Sequence, residues 1–239
     1  MRHVMLGTLR ATLVDHLPAG QKPTRAVVLC HGFGAPGDDL VPLAEALFAR
    51  APALKATTVF AFPEAPIDLV EYGNGARAWW RIDVSTFDRI ARGGAEPVIR
   101  VAPPGMAEAR RAFRGMLDAL LAQTGLSIGH VVLGGFSQGA MLATDTALRL
   151  DEAAAGLIVL SGAPVNYDEW QRLAPRRKGL PVVVTHGTAD QILPLVGAAH
   201  LEAGLRAAGL VVDFVTFPGG HAIPAKALDA ASALLSSVL

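Results

Sequence analysis

The stretch Gly134-Gly135-Phe136-Ser137-Gln138-Gly139-Ala140 constrains this chain more than any other. An apolar run, His130 to Leu133, precedes it and reads as a short buried strand. Met141 to Leu150 follows and reads as a helix. Gly135-x-Ser137-x-Gly139 at such a junction is the pattern of a nucleophile elbow. A sharp strand-to-helix turn strains the serine backbone, and the residues two before and two after must leave room for the chain to pass. The turn lifts the hydroxyl clear of the sheet and aims the first helical amides at whatever the serine attacks. A Gly-Ser-Gly loop alone is often a plain turn, with the serine as turn former or helix cap. The elbow reading therefore depends on what stands at the later strand ends.

The rest of the chain reads as strands alternating with helices. Residues 4 to 15 read as an edge strand, and Ala26 to Cys30 as a buried strand that opens into His31-Gly32-Phe33-Gly34. Leu40 to Arg50 is an amphipathic helix and Thr57 to Phe62 a further strand. The irregular excursion Pro63 to Gly105 comes next, then a helix over Met106 to Gln123. After the elbow come strands at 156–160, 180–185 and 210–217, helices at 195–208 and 222–239, and the loops opened by Ser161, His186 and Pro218. Short apolar strands separated by helices predict an α/β fold with a mainly parallel sheet and helices on both faces. Ligands sit beyond the carboxyl ends of the strands in such sheets. The length suits one domain over residues 1–239, and no repeat or break in composition marks a second.

Composition narrows the function. The formal net charge is zero, which argues against a nucleic-acid partner. Arg110, Arg111 and Arg114 fall on a helix beside Glu108 and Asp118 and read as a solvated polar face. Cys30 is the one cysteine, in an apolar run, so it reads as a core residue and no disulfide forms within the chain. No signal-peptide pattern or run of membrane-spanning length is present, and a cytoplasmic protein is the expectation.

A serine hydroxyl needs a base, and the base needs a carboxylate to hold its tautomer. Ser137, Asp190 and His221 occur in the order Ser, Asp, His, each just past an expected strand, as an α/β-hydrolase requires. Asp168 and Asp213 compete for the acid. Asp168 lies deep in a polar loop and Asp213 inside a strand, so Asp190 has the better setting. His221 follows glycines at the end of the last strand and precedes a helix. His31 and His186 also end strands and read as structural histidines. No histidine pair has metal-ligand spacing beside a third ligand, so no metal is expected. The elbow places the Gln138 amide as one oxyanion donor, and the loop after the first buried strand offers the Phe33 amide as the second.

Four segments together resemble the phospholipase/carboxylesterase family of α/β-hydrolases, which includes the acyl-protein thioesterases. They are His31-Gly-x-Gly-x-x-Gly37-Asp38-Asp39-Leu40; Pro63-Glu-Ala-Pro66 with Ala78-Trp79-Trp80-Arg81-Ile82-Asp83; Gly135-Phe-Ser137-Gln-Gly-Ala; and His186-Gly-x-x-Asp190 with Gly220-His221-x-Ile223. The resemblance implies Ser137, Asp190 and His221 as catalytic triad, Phe33 and Gln138 as oxyanion amides, no cofactor, and a shallow acyl groove without a large cap domain. It departs from the family at Trp79-Trp80-Arg81, where Trp-Phe-Asp is usual. It departs again at 84–105, a longer and proline-richer stretch where the family covers its acyl channel. That stretch is expected as a lid or substrate-channel loop. Trp79 and Trp80 are expected either to wall the pocket or to pack in the core.

The expected protein is a serine carboxylesterase acting on small to medium acyl esters. A lysophospholipase or acyl-protein thioesterase is the alternative, and an inert α/β-hydrolase binding scaffold the remote one. The expected partner is a small-molecule acyl ester, with no membrane span, and a homodimer is left open.

Overall fold

The computed structural model describes residues 1–82 and 99–238. Its strands are β1 (Arg2–Leu6), β2 (Leu9–Val14), β3 (Arg25–Cys30), β4 (Thr58–Pro63), β5 (Ile67–Asp68), β6 (Arg77–Ala78), β7 (Val131–Phe136), β8 (Gly156–Leu160), β9 (Pro181–Gly187) and β10 (Val211–Phe217). Among the described residues the helices are α1 (Pro42–Arg50), α2 (Met106–Thr124), α3 (Gln138–Arg149), α4 (Tyr167–Leu173), α5 (Leu195–Ala207) and α6 (Ala225–Val238).

Among the described residues the main sheet has eight strands in the order β1-β2-β4-β3-β7-β8-β9-β10. β2 pairs antiparallel with both neighbours, and every other pairing is parallel. This is the mainly parallel α/β-hydrolase sheet that the sequence leads one to expect. The stretch 4–15 differs in detail. It is a hairpin, β1–β2, turning at Gly7-Thr8, and β1 alone forms the edge.

The central strands are buried on both faces, so their residues alternate between two cores. Val28 and Cys30 of β3 join Leu133, Leu157, Val159 and Val184 beneath α2, α3 and α5. Val27 and Leu29 point the other way, with Val132, Ile158 and Val183, against α1 and α6. Burying one such Val or Leu side chain stabilises the fold by about 1.5–3 kcal/mol, and the two layers together hold the sheet between its helices.

α3 is buried from Gln138 through Leu148. It therefore needs no polar face, and yet it carries Asp145, whose side chain is 0% exposed. Arg110 of α2 donates to Asp145 Oδ2 at 2.7 Å and Arg149 at 3.1 Å, while Trp170 Nε1 of α4 donates to Oδ1 at 2.7 Å. The expectation of a solvated face is thus corrected at Arg110, which pairs with a buried carboxylate because an unpaired buried charge is too costly. Arg111 and Arg114 do make surface pairs, with Glu108 and Asp118.

The site is positioned by where the strand order reverses. The chain runs from β3 outward to β4 and later returns to β7 on the other side of β3. A crevice opens at such a switch point, beyond the carboxyl ends of the two strands. Cys30 of β3 lies opposite Gly135 of β7, so the Phe33 loop and the Ser137 elbow begin side by side. Phe136 pairs in register with Leu160, and Gly187 with Phe217. The Asp190 and His221 loops leave the same end of the sheet.

Candidate active site

The elbow is shaped by close approach. α3 starts directly over the end of β3, and a methyl group on Gly139 would stand 2.0 Å from the Cys30 carbonyl oxygen. One on Gly135 would stand 2.4 Å from the same oxygen and 2.6 Å from the Gly139 carbonyl carbon. Only glycine fits at either position. Between them Ser137 takes φ 53°, ψ −119°, a left-handed-side conformation that costs a non-glycine residue on the order of 1–3 kcal/mol. Ser137 is held there from both sides. Its amide donates to Leu160 O at 2.9 Å and its carbonyl accepts from Met141 N at 3.1 Å.

Asp190 follows β9, and its side chain is fully buried. Oδ1 accepts the amides of Ile192 and Leu193, each at 2.9 Å. Oδ2 faces His221 Nδ1 at 2.7 Å. Burial alone would raise the Asp190 carboxyl, but the hydrogen bonds from His221 and Leu193 and the nearby imidazoles outweigh it and hold it below the usual carboxylate value. An ionised Asp190 requires the proton on His221 Nδ1, which leaves Nε2 as the acceptor. The His221 ring lies 4.7 Å, centroid to centroid, from Phe136, the residue before Ser137. Of the rival acids, Asp168 is exposed and paired with Arg100 at 2.9 Å, and Asp213 sits exposed within β10.

Gln138 contributes more than an amide. Its side chain is buried and clamps the 79–80 segment, with Oε1 accepting Trp79 N at 3.0 Å and Nε2 donating to Trp80 O at 2.8 Å. Trp79 Nε1 in turn donates to His31 O at 2.9 Å. The helix start is thereby tied to the loop that carries Phe33. That loop is pinned again by Gly34 N to Arg77 O at 2.9 Å and Arg77 N to Ala35 O at 3.0 Å. Among the described residues, the amides of Phe33 and Gln138 have no protein acceptor. The Phe33 ring stands edge-on to Tyr72 at 5.7 Å.

Trp79 and Trp80 are 1% and 2% exposed and pack in the core with Met106 and Phe113. Of the two expectations for them, core packing is what is found. The main chain of both residues and the Trp79 indole serve as struts. Most of the expected loop at 84–105, residues 84–98, lies outside the described residues, as does Asp83. Its described end is tied beside β8 by Ile99 N to Pro164 O at 3.2 Å and Tyr167 N to Ile99 O at 3.0 Å.

His31 is structural, as expected. Ala65 N donates to Nε2 at 3.0 Å, so Nδ1 carries the proton and donates to Gly32 O at 2.9 Å. Burial pushes its pKa down to about 4. An unfolded chain takes up that proton near 6.5, so lowering the pH through the interval from 6.5 to about 4 favours the unfolded state. The loss attributable to this ring is about 3 kcal/mol across the interval, fully absent above 6.5 and complete near 4. Denaturant unfolding at several pH values checks it. The wild type loses more stability over this interval than His31→Gln, and parallel curves would contradict the assignment.

No group of metal-ligating side chains is found among the described residues, and none of the helices there is long and apolar enough to cross a membrane. Residues 17–239 match the family model described as Phospholipase/Carboxylesterase. Acyl-protein thioesterase 1 of Eremothecium gossypii is 29% identical over 97% of this chain and 95% of its own length. Its counterpart in Kluyveromyces lactis is 31% identical over 73% of each chain. Among solved structures, esterase PE8 is 29% identical, with a TM-score of 0.80 over 97% of this chain and 99% of its own. A carboxylesterase from Mesorhizobium loti, 20% identical with a TM-score of 0.70 over 95% and 94%, shares the fold. With an elbow serine at the switch point of a mainly parallel sheet, and a family match over nearly its whole length, the chain belongs to the phospholipase/carboxylesterase family of α/β-hydrolases, serine hydrolases of the ester-cleaving type.

Proposed function

We propose that the protein is a serine carboxylesterase that hydrolyses small to medium acyl esters through an acyl-enzyme on Ser137. The observation that carries this reading is the pairing of His221 Nδ1 with the buried Asp190 Oδ2 at 2.7 Å, beside the strained elbow of Ser137. Ser137 Oγ attacks the ester carbonyl carbon while His221 Nε2 takes its proton. The imidazolium so formed is stabilised by Asp190. The carbonyl oxygen becomes an oxyanion and accepts the free amides of Phe33 and Gln138, each worth on the order of 3 kcal/mol in the transition state. His221 then gives the proton to the leaving alkoxide. A water molecule repeats the sequence and releases the acid. No cofactor enters any step.

The fungal relatives named acyl-protein thioesterase favour a second reading, cleavage of longer acyl chains from thioesters. Hydrolysis of p-nitrophenyl acetate, butyrate and octanoate separates the two. The esterase reading predicts kcat/KM highest for acetate or butyrate. A maximum at octanoate, with comparable cleavage of an octanoyl thioester, would transfer the assignment to the thioesterase. An absence of turnover on all three would count against both and favour an inert scaffold.

A further inference from the structure

His186 closes β9 and lies four residues before Asp190, outside the triad just described. Its ring is fully buried. Nε2 stands 2.7 Å from Leu193 O and 3.3 Å from Asp190 Oδ2. A carbonyl only accepts, so Nε2 carries the proton and donates it to Leu193. Nδ1 is then a bare acceptor, buried and without a partner among the described residues. Leu193 is gripped at both of its polar ends, since its amide donates to Asp190 Oδ1 at 2.9 Å. The ring, the 190–193 turn and the carboxylate form one closed unit.

We infer that His186 is a positioning residue, which clamps the 190–193 turn through the Leu193 carbonyl and so keeps Asp190 Oδ2 aimed at His221. The inference rests on the triad reading of Ser137, Asp190 and His221. It requires His186 to stay neutral. A protonated ring 3.3 Å from the carboxylate oxygen that serves His221 would draw off part of its charge. Burial lowers the His186 pKa most, and the charge on His221 lowers it further, against the Leu193 hydrogen bond and the Asp190 charge that raise it. Asp190 and His221 are the titratable groups that act on this ring. A second proton at Nδ1 would also find no acceptor, and a buried donor left unpaired is costly.

His186→Phe keeps a ring of similar size and removes the donor. His186→Gln keeps a donor near the Nε2 position and cannot become a cation. Both are measured with p-nitrophenyl butyrate from about pH 5 to 9. Rates are normalised to active sites titrated with a fluorophosphonate, and folding is followed by circular dichroism. The expected result is a loss of about 10- to 100-fold in kcat for His186→Phe with little change in KM, the effect of a slightly misplaced catalytic group. His186→Gln recovers to within about threefold of wild type, with the acid limb of the pH profile unmoved. Wild-type kcat per titrated site in His186→Phe would overturn the inference, even if its melting temperature fell. So would a His186→Gln as impaired as His186→Phe. Failure of the triad reading looks different, because the wild type itself would then take up no fluorophosphonate or carry it on a residue other than Ser137.

Discussion

Ser137→Ala is expected to lower kcat toward p-nitrophenyl butyrate on the order of 10⁵- to 10⁶-fold, with KM nearly unchanged. In the proposed mechanism the hydroxyl oxygen that the substitution removes is the atom that forms the covalent bond. Everything around it stays. The Leu160 and Met141 hydrogen bonds run through the main chain of residue 137, and Gly135 and Gly139 still fit beneath the Cys30 carbonyl. Alanine bears the same backbone strain at φ 53° as serine, so the melting temperature should stay close to that of the wild type. What should remain is the rate enhancement that the proposed oxyanion amides and substrate binding provide without a nucleophile. A variant that is folded and fully active would remove Ser137 from the mechanism.

Asp190→Asn carries the second largest effect, a fall in kcat of about 10⁴-fold. Asparagine matches the size of the carboxylate, and its oxygen can still accept the Ile192 and Leu193 amides. The other end of the side chain then presents an N–H to His221 Nδ1 where a carboxylate oxygen stood at 2.7 Å. Two donors cannot face each other, so the imidazole shifts its proton to Nε2, the atom that the proposed mechanism uses as base. The base is then occupied before the reaction begins. Steady-state kinetics on the folded variant check this. A loss smaller than about tenfold would mean that another acid orients His221. Asp168, the nearest rival in the sequence, is committed to Arg100 on the surface.

The features legible from the sequence were those that repeat or that chemistry forces. The central strands are Val- and Leu-rich runs because both of their faces are covered, and glycines 135 and 139 are visible because no other residue fits under a strand end. The β1–β2 hairpin reads from the sequence as a single strand. Its turn is only Gly7-Thr8, too short to interrupt the alternation. α4 has no clear signature in the sequence, because Tyr167–Leu173 is a short polar segment anchored by one buried residue, Trp170. The Arg110–Asp145 pair had a signal that could have been used. From Ala140 to Leu148 the helix is apolar or small on every side, which marks it as buried, so an aspartate inside it must have a partner. The Gln138 clamp on Trp79 and Trp80 joins residues 59 and 58 positions apart, and no local pattern encodes such a contact. In the sequence His186 is like any histidine before a glycine. Its place beside Asp190 comes from the tight turn that brings Leu193 back over the end of β9.

The proposed mechanism acylates Ser137. Reaction of the wild type with a fluorophosphonate, followed by intact mass and peptide mapping, tests it most directly. One adduct per chain is expected, located on Ser137, and none in Ser137→Ala. Ser161 is the informative alternative. It also ends a strand with a positive φ, 48°, but it is fully buried with its hydroxyl turned to Ala222 O at 3.4 Å. An adduct on Ser161, on any other residue, or on none would contradict the assignment of the nucleophile.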